Sequence, residues 1–258
     1  MTTIDVDDLR DKVKAMYRAV ADEPDGEFHF EMGHDLAVRL GYPAEELDRT
    51  PSAAVESFAG VGYHLGLAHL RPGERVVDLG SGSGMDAFLA ARRVGPAGEV
   101  TGVDMTSAQL DKARRLAAGE GYGNARFEQG YIEHTPVPGQ SADVVISNGV
   151  INLCSDKAAV FREIFRILAP GGRMAVSDIV TEHQLTEAIV CDVDLWASCI
   201  GGAMQQDVYC AAIEASGLSI ETIQANPQYE FISDSAQGAT STFGVKSISV
   251  LATRPSGR

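Results

Sequence analysis

The 258-residue chain is 45% hydrophobic and carries 36 acidic against 21 basic residues, a formal charge of −15. That length and apolar content suffice for one substantial core, and the acidic field repels phosphate backbones and anionic bilayers, so the expected partner is a small molecule, with no nucleic acid and no membrane. No run reaches the roughly 18 apolar residues of a membrane span, and the polar start "MTTIDVDDLRDKVK" lacks an apolar targeting core, which predicts a soluble cytoplasmic protein whose oligomeric state the sequence leaves open.

In chain order, "DDLRDKVKAMYRAVAD", "HDLAVRLG" and "PAEELDR" read as helices interrupted by loops, and residues 1–70 are expected to form an N-terminal helical cap on a domain spanning 71–258. From residue 75 to about 178, short β-branched runs alternate with helical patterns, the signature of βαβ units and a parallel sheet. "RVVDL", "EVTGVD", "ARFEQ", "DVVIS" and "RMAVSD" are the predicted strands. Between them "SAQLDKARRLAAGE" sets Leu110, Ala113 and Ala117 on one face, and "SDKAAVFREIFRILAPGG" sets Val160, Ile164 and Leu168 at helical spacing before Pro170-Gly171-Gly172 stops it. Beyond residue 180 a helical stretch broken at Gly201-Gly202 leads to two last strands, "LSIETIQ" and "KSISVLAT". The fold class is α/β: a Rossmann-like, doubly wound, mostly parallel seven-stranded sheet with an N-terminal helical cap.

The four cysteines, Cys154, Cys191, Cys199 and Cys210, have no CxxC spacing, and the six histidines include no HExxH, so neither a disulfide framework nor a metal site is expected. The chemistry concentrates instead in "VVDLGSGSGMD". A strand ending in a glycine-rich turn brings bare backbone N–H groups and a helix N-terminus to a ligand, because glycine has no Cβ to block the approach. The dinucleotide fingerprint wants a small residue at position 85, where Met85 stands, and Asp78 ahead of the turn repels a pyrophosphate but suits an ammonium group. Asp104 ends the next strand, where a carboxylate takes both hydroxyls of a ribose. A nucleoside joined to an amino acid satisfies both acids, and S-adenosyl-L-methionine is that molecule.

Residues 70–180 resemble the seven-strand S-adenosylmethionine-dependent methyltransferases through "VVDLGSGSG", "GVDM", "ADVVISNGVINL" and "EIFRILAPGGRMAVSD". The resemblance implies that Gly80, Gly82 and Gly84 cradle the methionine end, Asp104 holds the ribose, Met105 lies against adenine, Ile132 and Glu133 meet the adenine edge, and Asn148 stands near the sulfonium. Within that family the chain is similar to the arsenite methyltransferase branch, through "LRPGERVVDLGSGSGMDAFLAARRVGPAGEVTGVDM", "SNGVINLCSDK" and "CIGGA".

That branch captures arsenic(III) with thiolates, and here the chain departs from it. Its glycine-cysteine-glycine-asparagine-proline loop reads Gly60-Val61-Gly62-Tyr63-His64, and its late cysteine is absent; only Cys199 in "CIGGA" keeps its place. On an unbroken helix Cys191 and Cys199 would stand about 12 Å apart, too far to share an ion; Cys210 could approach Cys199 only by folding back past Gly201-Gly202. The expected acceptor is therefore an organic carbon, nitrogen or oxygen nucleophile, with arsenite at Cys199 as the alternative. Tyr63 and His64 replace the family's asparagine-proline and are the candidates to orient or deprotonate it; Trp196 and Cys199 are the other candidate substrate contacts. More distant alternatives are an NAD-dependent oxidoreductase and a non-catalytic S-adenosylmethionine-binding protein.

Overall fold

The computed structural model describes residues 5–24, 26, 28, 30–190, 196, 200–232 and 234–257. The first 70 residues supply helices α1 (Val6–Asp22), α2 (Gly33–Leu40), α3 (Ala44–Leu47), α4 (Ser52–Glu56) and α5 (Leu65–Ala68). The strands are β1 (Arg75–Leu79), β2 (Glu99–Asp104), β3 (Ala125–Gln129), β4 (Ala142–Asn148), β5 (Leu168–Thr181), β6 (Met204–Gln205), β7 (Ser219–Ala225) and β8 (Lys246–Thr253). Helices α6 (Met85–Val94), α7 (Ser107–Gly119) and α8 (Lys157–Ile167) make the crossovers. Seven strands lie in the order β3-β2-β1-β4-β5-β8-β7, and the two-residue β6 pairs only with β5. The first five are mutually parallel; β8 runs antiparallel to β5 and β7 antiparallel to β8. This is the α/β sheet that the strand pattern predicts.

Alternation along the strands divides the core. Val76, Val100, Val144 and Ile146 pack on α6, α7 and the N-terminal helices through Phe88, Leu89, Leu110, Leu40 and Phe58. Val77, Leu79, Val103, Val145 and Met174 face α8 and the helix Gln206–Ala215 through Phe161, Ile164, Tyr209 and Ile213. With helices on both faces, β1 is buried at every position after Arg75, as a central parallel strand must be. The chain moves outward through β2 and β3 and then returns to the other side of β1 with β4, so the strand order reverses beside β1. A crevice opens there at the carboxyl ends of the strands.

Two boundaries differ from the sequence reading. Helix α8 ends at Ile167, because Leu168 already pairs with Ala142 at a bulge and the Pro170-Gly171-Gly172 run is drawn into β5. The stretch between the last two strands, to which the sequence reading assigns no element, contains the helix Asp234–Phe243.

The loop after β3 is tied to α8 by a buried carboxylate. Glu163 accepts from the Thr135 backbone N–H (2.7 Å) and hydroxyl (2.6 Å) and from Arg166 (2.7 Å). Burial pushes the Glu163 carboxyl up, but these hydrogen bonds outweigh it and hold it below its ordinary range. A carboxylate depressed on folding stabilises above its unfolded pKa, and the stabilisation is lost as pH falls through the folded value. Glu163→Ala should cost about 2 kcal/mol near neutrality. In urea titrations against pH, the difference from wild type should shrink as the solution is acidified.

Candidate active site

A cleft of about 1100 Å³, mouth included, lies over the ends of β1, β2 and β4. Its floor is the turn from β1 into α6. Gly80, Gly82 and Gly84 all take positive φ (74°, 51° and 94°), which only glycine adopts without strain. Two also lack room for a side chain: a Cβ on Gly80 would overlap Val150, and one on Gly84 would come within 2.8 Å of the Phe127 ring. Asp104 locks the turn to β2, with Oδ2 accepting the Gly82 N–H at 2.9 Å and Oδ1 the Thr106 N–H at 2.8 Å.

The cleft is lined by Asp78, Gly80, Gly82, Asp104, Met105, Ile132, Glu133 and Asn148, all expected to bind the cofactor. Gly84 is not on its surface; it caps α6 and lets Phe88 and Phe127 close beneath the turn. Burial, then the charges of Asp86 and Asp104, pushes the Asp78 carboxyl well above its ordinary range. Burial likewise raises Asp104, against the N–H groups of Thr106 and Gly82. Among the described residues, Asp78 Oδ2 and Ser81 Oγ have no hydrogen-bond partner although both are buried. A cationic donor fits this set: its ammonium offsets the clustered carboxylates, and its ribose finds acceptor capacity left on Asp104.

The loop residues expected to act on the acceptor stand elsewhere. His64 is fully buried and off the cleft surface, its ring nitrogens unpartnered and Nε2 4.0 Å from Asp86. Burial lowers its pKa. Tyr63 is half-buried, its ring tilted against Tyr42 at 4.6 Å and its hydroxyl accepting from Arg93 at 2.7 Å. Neither side chain reaches the cleft, because α5 turns both toward α6. Trp196 packs over Lys157, donates to the Val190 carbonyl at 2.6 Å and sits in a cluster with Leu9, Val13 and Leu153, behind rather than on the cleft surface. Cys199 and Cys191 lie outside the described residues, and no cluster that could hold a metal ion occurs among those described.

Several lining residues carry no sequence signal. Helix α1 crosses the mouth and contributes Val6, Leu9, Arg10, Val13 and Tyr17. Arg10 pairs with Glu133 at 3.3 Å and lies over the Tyr131 ring, while Lys14 donates to the Tyr131 hydroxyl at 2.9 Å. Asp86 also lines the cleft, accepting from Tyr42 at 2.7 Å and Asn148 at 3.3 Å. The Asn148 side-chain oxygen accepts the Val61 N–H at 2.8 Å, so the end of β4 is fastened to the loop between α4 and α5.

An open α/β sheet with an acid-rimmed glycine turn at its switch point defines an adenosyl-binding fold. A family model described as a methyltransferase domain matches residues 70–224, and the chain belongs to that S-adenosylmethionine-dependent family. An arsenite methyltransferase of Halobacterium salinarum is 41% identical over 197 residues, 76% of this chain and 50% of that protein. The chain thus spans about half the length of that curated relative, and less of the arsenite methyltransferase of Homo sapiens. Among solved structures, an arsenic(III) S-adenosylmethionine methyltransferase from Chlamydomonas reinhardtii is 30% identical, with a TM-score of 0.64 over 87% of this chain and 74% of that one. A geranyl diphosphate C-methyltransferase from Streptomyces coelicolor shares the fold at 17% identity, with a TM-score of 0.69 over 95% of this chain and 98% of that one.

Two outcomes follow for the donor. Asp104→Ala should weaken S-adenosylhomocysteine binding by about 2 kcal/mol, on the order of thirtyfold, measured by calorimetry. Because a bound cation favours ionised carboxylates, S-adenosylmethionine should expel a proton from the raised acids and bind more tightly as pH rises, levelling off above their pKa. Asp78→Asn should flatten that dependence.

Proposed function

We propose that the protein transfers the methyl group of S-adenosylmethionine to a small organic acceptor. Asp78, Ser81 and the glycine turn would hold the amino-acid end, Asp104 the ribose, and Met105, Ile132 and Glu133 the adenine. The donor supplies a methyl on a cationic sulfur, which leaves as a neutral thioether when a nucleophile attacks in line. The protein's share is then chiefly alignment and exclusion of water.

The observation carrying the acceptor reading is the apolar lining that the cleft has beyond its acids and glycines, built from Leu9, Val13, Phe58, Val150 and Leu153. Among the described residues the one cationic side chain lining the cleft, Arg10, is engaged by Glu133. Val61, standing where the similar branch has a cysteine, is buried against Leu9 and Trp196. The thiol on the described cleft surface, Cys154, is pushed far up by burial and so is held as the neutral thiol, a poor ligand for arsenic.

A second reading, arsenite methylation, is favoured by the 41% identity to the Halobacterium protein. Incubation with methyl-labelled S-adenosylmethionine separates the two, using arsenite with glutathione in one arm and host small-molecule extract in the other. Label is expected in an organic product. Label on arsenic at a comparable rate would favour the second reading.

A further inference from the structure

One wall of the cleft is the segment 150–155, which starts with Val150 against Gly80 and whose Val150, Leu153, Cys154 and Ser155 face the cavity. Its middle is a single 3-10 turn, Ile151–Leu153, too short to hold a shape by itself. Behind it lies a buried polar cluster that the transfer chemistry leaves unused. Lys157 is 3% exposed, and its ammonium donates to the carbonyls of Cys154 (2.8 Å) and Asn152 (3.2 Å) while lying 5.1 Å from the centre of the Trp196 ring. Asp178, also buried, accepts from the Asn152 N–H at 3.2 Å, the Ile179 N–H at 2.9 Å and the Tyr209 hydroxyl at 2.9 Å. The segment is therefore gripped from both sides: Lys157 takes its carbonyls and Asp178 one of its N–H groups.

Helix formation does not account for this lysine. It is the first residue of α8, where the helix dipole disfavours a cation, and an apolar side chain in a buried site is commonly as stable as a charge. Gly201 and Gly202 are shaped to the same purpose. A Cβ on Gly202 would overlap the Asn152 carbonyl, and one on Gly201 would overlap the Trp196 ring, so both glycines let that ring close over the ammonium. The turn from β1 to α6 has a fastening of its own in Asp104, and meets the segment through the contact of Val150 with Gly80.

We propose that Lys157 is the positioning residue for the acceptor-side wall, fixing residues 150–155 through the carbonyls of Asn152 and Cys154, independently of donor binding. The wall's assignment to the acceptor rests on the methyl-transfer reading. Removing the ammonium should loosen the wall and leave the donor site in place, whereas arginine at 157 keeps a charged donor for the two carbonyls.

Cys154 reports the wall directly. In the full chain, alkylation of each cysteine by iodoacetamide is followed by peptide mass spectrometry in wild type, Lys157→Gln, Lys157→Met and Lys157→Arg, alongside calorimetric titration with S-adenosylhomocysteine. For Lys157→Gln and Lys157→Met, Cys154 should react on the order of tenfold faster, Cys210 at an unchanged rate, and the Kd for S-adenosylhomocysteine should stay within about threefold of wild type. Lys157→Arg should restore slow Cys154 labelling. Unchanged Cys154 rates in both neutral variants would overturn the proposal, as would equal acceleration at Cys154 and Cys210 or a loss of donor affinity in step with it. Wild-type protein that fails to bind S-adenosylhomocysteine counts against the methyl-transfer reading, and the Cys154 rates still decide whether Lys157 holds the wall.

Discussion

The site depends on one carboxylate. Asp104 closes β2, yet its oxygens accept N–H groups from the turn after β1 and from the start of α7, so three elements meet at one side chain. Without it the Gly82 N–H would lose its acceptor and the turn would be held by fewer bonds. Charge-assisted hydrogen bonds of this kind are about twice as strong as neutral ones. They also pre-set the cavity before a ligand arrives, which lowers the entropy that binding must overcome.

The acids around the cleft make sense together. Asp78, Asp86 and Asp104 all line it, and burial raises Asp78 and Asp104. Crowded carboxylates destabilise a folded chain unless something positive joins them. The ammonium of an adenosyl donor seated over the glycine turn would supply that charge.

Much of this was legible in the sequence, and the limits have physical causes. Strands β1, β2, β4 and β5 announce themselves because a strand buried on both faces must be a largely apolar run. The glycine turn and its two acids announce themselves because bare backbone and a ribose acceptor demand particular residue types at fixed spacing. The cap's contribution was hidden. Leu9, Val13 and Tyr17 look like any amphipathic helix, and nothing local says that α1 crosses the cleft. Tyr42, Asp86 and Asn148 are joined across gaps of 44 and 62 positions, a contact that periodicity does not encode. His64 shows the converse. A histidine in a loop beside a cofactor invites a catalytic role, but the short α5 turns it into the core beside Asp86. The polar cluster at Lys157 was equally hidden, since a lysine opening an amphipathic helix reads as surface.

In the proposed complex an adenosyl donor lodges where β1 and β2 end, its sugar on Asp104 and its amino-acid tail over the glycine turn. A crystal structure of the protein grown with S-adenosylhomocysteine tests this most directly. Both ribose hydroxyls should lie within hydrogen-bond distance of the Asp104 carboxylate, with the ammonium beside Asp78. A nucleoside bound away from Asp104, or a cleft that stays empty at saturating ligand, would contradict the account.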